Sequence, residues 1–380
     1  MRSERRSGAA LIAALLMIAG LGGASGCGKS ANHANDNTGD SAGDETGDAP
    51  DQTADTDGAG VADGDGAAGR RQIVLLADWI AEAEQGGYYQ ALATGRYRAA
   101  GLDVDIRSGG PSINTRQLLA AGMVDFALGG NNDDALELLR AGSQVRAVMA
   151  GFQKSPQILM THPQNGIESL ADMRGKPIHL AASNIRTMFV WLKAKYGFEE
   201  SQLRAYTFNM TPFLADKSMI QQGYISSEPY LVRQLSGIEP RVFLLADHGY
   251  ATYSGLVLAK QDLIDDSPDI VQAFVDASVE GWRDYLHGDP APGDALIKRA
   301  NPEMSDELLR YAREVMIERG LVDGGDAERL GIGAMTDARW RAHFEVAAAQ
   351  DRYPADLDYQ RAYTLQFVGD TRGPSAADAE

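Results

Sequence analysis

From Gln72 onward, apolar residues come in short runs bounded by charge and glycine. Ile73-Val74-Leu75-Leu76 has the length of a buried strand. A helix is expected over 87–100, then strand 104–107, helix 112–121 closed by Gly122, strand 125–128, helix 133–140 closed by Gly142, and strand 145–150. Strict β-α alternation of this kind predicts a mostly parallel sheet covered on both faces. Residues 157–161 form another apolar strand and a second alternation follows. It comprises strand 178–181, helix 185–196, strand 206–208, helix 215–222, strand 224–226, a helix from Pro229, and strands 242–245 and 255–259. Beyond these the pattern is helical. Ser267-Pro268 is a cap followed by proline at the first helical position. Ile270, Phe274, Ala277, Val279, Trp282 and Leu286 then form an apolar face, and helices 305–319 and 336–350 follow. The expected fold class is α/β, with two lobes joined by crossing strands and a helical C-terminal tail.

Ahead of residue 71 this texture is missing. Residues 1–27 have a secretory layout: Arg2, Arg5 and Arg6, an apolar stretch over 8–22, then Ala24-Ser25-Gly26-Cys27. The ending resembles a lipobox, with Ala24 where leucine is usual, and Cys27 is the chain's single cysteine. Lipidation of Cys27 is therefore expected. Acyl chains, at about 0.8 kcal/mol per buried CH₂, would hold the protein on a membrane. Residues 23–30, GASGCGKS, also match the phosphate-loop pattern, but they straddle the cleavage site and lack a strand before and a helix after, so no nucleotide site is expected. Residues 28–70 read as a disordered acidic linker. Between 31 and 70 there are nine Asp and one Glu against one Arg, with almost no large apolar side chains to offset the entropy of ordering.

Charge and composition narrow the function. The chain of 380 residues carries a net charge of −18, with no basic tract outside its first residues, so nucleic-acid binding is not expected. One cysteine excludes intrachain disulfides and cysteine-based metal centres. The six histidines show no metal spacing, and neither a nucleophile elbow nor a dinucleotide fingerprint is present. Paired acids such as Asp133-Asp134 fall at helix starts, where they complement the helix dipole. Nothing assembles a base, a nucleophile and oxyanion donors, so catalytic residues are expected to be none.

Aromatic and polar residues do recur at strand-to-helix turns. These are Asp78-Trp79, Gln85-Gly86-Gly87-Tyr88, Gly109-Gly110-Pro111-Ser112, Gly129-Gly130-Asn131-Asn132, Ser183-Asn184 and Ser226-Ser227-Glu228-Pro229-Tyr230. In open α/β sheets such turns line the ligand crevice. Glycines admit backbone N–H groups to a ligand, and aromatics stack on flat rings.

The stretches ADWIAEAEQGGYYQALATGRYRAAGLDV (77–104), GMVDFALGG (122–130), FQKSPQILMTH (152–162), SLADMRGKPI (169–178), QQGYISSEPY (221–230) and AFVDASVEGWRDYL (273–286) carry a resemblance. Over 72–286 the chain resembles substrate-binding proteins of ABC transporters, in the branch grouped with sulfonate binders and thiamine-pyrimidine synthases. The pyrimidine-precursor and flavin-precursor binders are the nearest. The resemblance implies the two-lobed type II periplasmic-binding fold, with lobe I over 71–160, lobe II over 161–253, the return to lobe I and C-terminal helices over 254–370, and a disordered tail over 371–380. It implies an extracytoplasmic monomer that binds a small molecule between its lobes and presents it to a membrane permease, with no cofactor. Closure would turn about strands near Thr161 and 250–255.

Carried onto this chain, the family pattern puts Trp79 on a heterocycle, Glu228 on ring nitrogens or an exocyclic amine, and Tyr230 over the pocket. Gln85, Tyr88, Asn131, Asn132, Ser183 and Asn184 complete the expected ligand-binding set. The pattern's proline and histidine places hold Ala81 and Gln85. A thiamine-pyrimidine precursor is the expected ligand. The alternatives are riboflavin, or an alkanesulfonate or taurine-type anion held at helix N-termini near Ser112 and Ser183 with Arg186. The related pyrimidine synthase needs a lysine and a histidine after the third strand and a CCCFC iron loop. Here that segment is Gly129-Gly130-Asn131-Asn132-Asp133-Asp134, so no synthase activity is expected.

Overall fold

The computed structural model describes residues 69–369. Cys27, the leader, the acidic linker and the tail after Asp370 lie outside the described residues. Among the described residues, ten strands form two five-stranded sheets. The first contains β1 (Arg71–Leu76), β2 (Leu102–Arg107), β3 (Phe126–Asn131), β4 (Val145–Phe152) and β10 (Ser254–Lys260). The second contains β5 (Gln157–Thr161), β6 (Ile178–Leu180), β7 (Leu203–Ala205), β8 (Ile220–Tyr224) and β9 (Arg241–Leu244).

The sheet orders are β2-β1-β3-β10-β4 and β7-β6-β8-β5-β9, the same arrangement in each lobe. Parallel pairs join β1 to β2 and β3, and β6 to β7 and β8. The strands antiparallel to their neighbours, β10 and β5, are those by which the chain enters each lobe from the other. Four of five strands in each sheet thus point the same way, and their carboxyl ends face the gap between the lobes. Because β5 already belongs to the second sheet, the first crossing lies at 153–156, ahead of the expected boundary at 160/161 and hinge at Thr161.

Burial explains the layering. Strand β4 is buried at seven of its eight positions, with a half-buried Arg146. Its outer edge is covered by the C-terminal segment, which bridges Ala147 to Tyr363 and Ala150 to Gly333, so the edge offers no free ladder. The long helix Pro268–His287 packs Phe274 on Phe126, ring centres 4.1 Å apart, and Trp282 against Tyr88. Helix Gly86–Ala93 crosses it so closely that a Cβ on Gly87 would sit 2.2 Å from the Trp282 ring, and one on Gly281 would sit 2.2 Å from the Gly87 carbonyl oxygen. Gly86 and Gly87 thus serve a helix crossing rather than the expected approach to a ligand.

Other departures have local causes. The helix expected over 87–100 breaks at Gly95, which is left-handed. The helix expected from Ser112 begins at Thr115 under an Asn114 cap, and that expected over 185–196 begins at Met188. The strand expected over 206–208 is Leu203–Ala205, and its aromatic successors form the turn that follows. In place of helix 215–222 there is a short helix Thr211–Ala215, a turn closed by Asp216 on Ser218, and β8. Gln221 and Gln222 give β8 a polar look, yet it is a central strand and both are buried.

Candidate functional site

Lobe I sends three turns into the gap, after β1, β2 and β3; lobe II answers with turns after β6, β7 and β8. Neighbouring strands lie about 4.8 Å apart, so the turns after β1 and β3 are adjacent, as are those after β6 and β8. The lobes already touch. The Ser226 hydroxyl donates to the Glu84 carboxylate, and Trp79 lies against Phe208 with ring centres 4.6 Å apart. The Tyr311 hydroxyl, from helix Asp306–Glu318, donates to the Ile225 carbonyl at 3.1 Å.

The β1 turn is shaped by hydrogen bonds from its own side chains. Buried Gln85 accepts from the Glu82 backbone N–H at 3.0 Å and donates to Asp78 at 3.3 Å. Asn301 donates to the Ala81 carbonyl at 2.9 Å, and Gly109 N–H donates to the Trp79 carbonyl at 2.9 Å. A Cβ on Gly109 would lie 2.2 Å from the Ala77 carbonyl oxygen, so this glycine permits two turns to meet.

Four carboxyl groups gather here: Asp78, Glu82 and Glu84 from lobe I, and Glu228 from lobe II. Burial raises Asp78 to about 6, and Glu82, Glu84 and Glu228 are also raised, chiefly by burial. Glu84 and Glu228 push Glu82 up further through their charge. No cation stands among the described neighbours that set these shifts. Tyr224, at the end of β8, is raised by burial and by the same four acids. Glu228 accepts the Tyr224 backbone N–H at 2.7 Å and the Ser227 hydroxyl at 2.6 Å, both on Oε2. Phe208 is 40% exposed and has φ of 62°, a left-handed conformation unfavourable for an aromatic residue and found more often at functional positions.

The expected site residues divide. Trp79 and Glu228 stand at this acidic cluster, and Gln85 shapes the β1 turn that carries it. Tyr88 is core, packed edge-on to Trp282 at 5.8 Å. Tyr230 packs on Tyr311 at 5.3 Å, where helix Glu228–Ser236 meets the C-terminal helix, rather than over the pocket. Asn131 caps the following helix by accepting from Asp133 N–H at 2.9 Å, and Asn132 accepts Tyr253 N–H at 2.8 Å. Ser183 is exposed. Asn184 is buried between Gln157 and Gln222, at 3.0 Å from each. The sequence reading named Asp78 as a turn residue beside Trp79 and missed Glu82, Glu84, Phe208 and Tyr224. The available signal was the Glu82-x-Glu84 spacing directly after Trp79.

At the β3 turn a second buried acid behaves differently. Asp133 Oδ1 accepts from His343 at 3.0 Å, from the Tyr353 hydroxyl at 3.0 Å and from Arg352. Burial opposes ionisation, but His343 and Arg352 outweigh it and hold this carboxyl below the usual range. Asp133-Asp134 is therefore more than the helix-dipole pair expected.

A family model described as NMT1/THI5 like matches residues 82–291. The riboflavin-binding protein RibY of Chloroflexus aurantiacus is 26% identical over 306 residues, covering 78% of this chain and 86% of RibY. A formylaminopyrimidine-binding protein of Halalkalibacterium halodurans is 22% identical over 270 residues, covering 67% of this chain and 81% of that protein. The periplasmic aliphatic sulphonate binding protein SsuA of Escherichia coli shares the fold, with a TM-score of 0.59 at 12% identity, over 78% of this chain and 97% of that structure. With the family match spanning more than half of its length, the chain belongs to the NMT1/THI5-like family.

Proposed function

We propose that this protein is the extracytoplasmic solute-binding component of an ABC import system, capturing a small nitrogen heterocycle between its lobes for delivery to a permease. The observation that carries the reading is the acidic, aromatic-walled pocket made jointly by the turns after β1, β7 and β8. Trp79 and Phe208 offer faces to a flat ring. Glu82 and Glu228 accept from ring N–H groups or an exocyclic amine. A wall rich in carboxyl oxygens suits a donor-bearing ring, as in the pyrimidine and flavin ligands named for the two relatives.

The same wall argues against a sulfonate. An anion there would face four carboxyl groups, and the helix N-termini expected near Ser112 and Ser183 lie elsewhere. Binding without chemistry, a monomeric state, closure about 153–156 and 250–254, and a lipid anchor on Cys27 complete the proposal.

A thermal-shift screen of the protein against hydroxymethyl- and formylamino-pyrimidine, thiamine, riboflavin, taurine and alkanesulfonates tests it. A ligand at 100 times its Kd adds about 2.7 kcal/mol and shifts the transition by several degrees. A ring compound is expected to give the shift. A shift from sulfonates alone would overturn the reading.

A further inference from the structure

Two segments carry the chain between the lobes, 153–156 after β4 and 250–253 ahead of β10. A hinge bends where the backbone is fastened to neither body, so the hydrogen bonds of these segments show where bending can occur. At the first crossing the N–H groups of Gln153 and Lys154 both donate to the Leu321 carbonyl, at 2.6 and 3.1 Å. The Gln153 side-chain amide donates to the Ala334 carbonyl at 2.8 Å. The C-terminal segment thus holds both residues. Pro156 already belongs to lobe II, since its carbonyl accepts from Ile225 N–H at 2.9 Å.

The second crossing is fastened in the same way. Tyr250 belongs to lobe II: its N–H donates to the Leu245 carbonyl at 3.0 Å, and its ring packs on Trp191 with centres 5.1 Å apart. Tyr253 belongs to lobe I and the C-terminal segment. Its N–H donates to Asn132 at 2.8 Å, and its hydroxyl donates to Asp326 at 2.7 Å while accepting from Thr336 N–H at 2.9 Å.

One side chain ties the two crossings together. Arg339, on helix Asp337–Ala349, donates through Nη2 to the Gln153 carbonyl and, at 3.3 Å, to the Thr252 carbonyl; Nη1 donates to Gln153 Oε1 at 3.2 Å. Its guanidinium lies 3.9 Å from the centre of the Tyr253 ring and 3.5 Å from Asp326, which hold it in place. The helix beneath it is anchored on lobe I, because Trp340 stacks on Tyr363 at 4.7 Å and Tyr363 bridges to Ala147 of β4. A planar fork of donors can serve carbonyls on two strands at once, which the point charge of a lysine cannot do in this geometry. Ser155 stands between the fastened residues on one crossing and Ala251 on the other.

We infer that Arg339 is a positioning residue for lobe closure, clasping both crossing segments to lobe I and confining the rotation to Ser155 and Ala251. The inference rests on closure about these segments, as proposed above, and holds whichever ligand is bound.

The test measures the distance between spin labels on the two lobes by pulsed electron paramagnetic resonance, without ligand. Labels are placed through Ala120→Cys and Ser201→Cys, both at exposed positions, in a full chain carrying Cys27→Ser. Arg339→Met should make the distance distribution about twofold wider than that of the labelled parent, with the melting transition still cooperative. Arg339→Lys, which keeps the charge but reaches one crossing, should fall between the two, and it is the variant that decides if Arg339→Met does not fold. Arg341→Ala, an exposed arginine on the same helix, should leave the distribution unchanged. Ser155→Gly with Ala251→Gly loosens the pivots directly and should also widen it. A wider distribution from the glycine pair but not from the Arg339 variants would overturn the clasp and leave the hinge standing. No widening from either, or equal widening from Arg341→Ala, would overturn the inference, and in the first case the proposed hinge falls with it.

Discussion

Asp78 and Asp133 stand on neighbouring turns of the same lobe, both drawn out of water, yet burial wins at one and loses at the other. Asp78 has Gln85 as its side-chain partner and other acids nearby, and it rises to about 6. Asp133 has His343, Arg352 and Tyr353 on one oxygen and is held below the usual range. The difference comes from the C-terminal segment, which delivers Arg352 to the β3 turn, whereas among the described residues no cation sets the shift of Asp78. One end of the gap is thus neutralised from within, while the other keeps an uncompensated demand for donors.

The sharpest way to break this contrast is to remove the cation. Arg352→Ala leaves Asp133 buried and short of its counter-ion, and a loss of about 3–5 kcal/mol in urea-unfolding stability is expected. A loss below 1 kcal/mol would show that the carboxylate is not held as described. Next in size is the pocket wall. Trp79→Ala should weaken binding of the ring ligand by about tenfold or more in a calorimetric titration, from loss of stacking and buried area. An affinity within threefold of wild type would remove Trp79 from the site.

The pH response separates the two acids. Asp78 binds its proton more tightly folded than unfolded, so from about 3.8 to about 6 the folded chain holds the extra proton and stability falls as pH rises. Asp133 does the reverse: its contribution is fully present above 3.8 and is lost in stronger acid. Asp78→Asn should therefore stabilise the ligand-free protein at pH 7 by about 1–3 kcal/mol and flatten the slope between pH 4 and 6. An unchanged slope would place the titration elsewhere. The smallest effect expected is at Phe208. Phe208→Gly relieves a left-handed backbone worth about 1 kcal/mol, so the melting temperature should hold or rise slightly while ligand affinity drops. A fall in both would mean that the ring supports the fold rather than the ligand.

Much of this was legible in the sequence, for identifiable reasons. The alternation of apolar runs with glycine-closed helices located both lobes, because a strand covered on two faces has to be apolar along its length, as β4 is. Where a buried strand was polar the pattern failed: Gln221 and Gln222 hid β8, and the groups that satisfy Gln222, the Ala181 N–H and the Asn184 side chain, come from residues distant in the chain. Trp79 and Glu228 were visible as turn residues. Tyr88 and Asn132 looked the same in sequence, but whether a turn side chain faces a ligand or the core depends on the helix packed behind it. The coupling of Asp133 to Arg352 spans more than two hundred residues, and no local spacing signals it.

A carboxyl-rich pocket of the kind proposed takes a neutral, donor-bearing ring in preference to an anion. The direct measurement is a calorimetric titration of the full chain at pH 7.5 with riboflavin and formylaminopyrimidine, each repeated in excess taurine. Saturable binding of a ring compound, undisturbed by taurine and weakened as pH falls below about 6 with the protonation of Asp78, is the predicted result. Tight taurine binding that displaces the ring compound would contradict it.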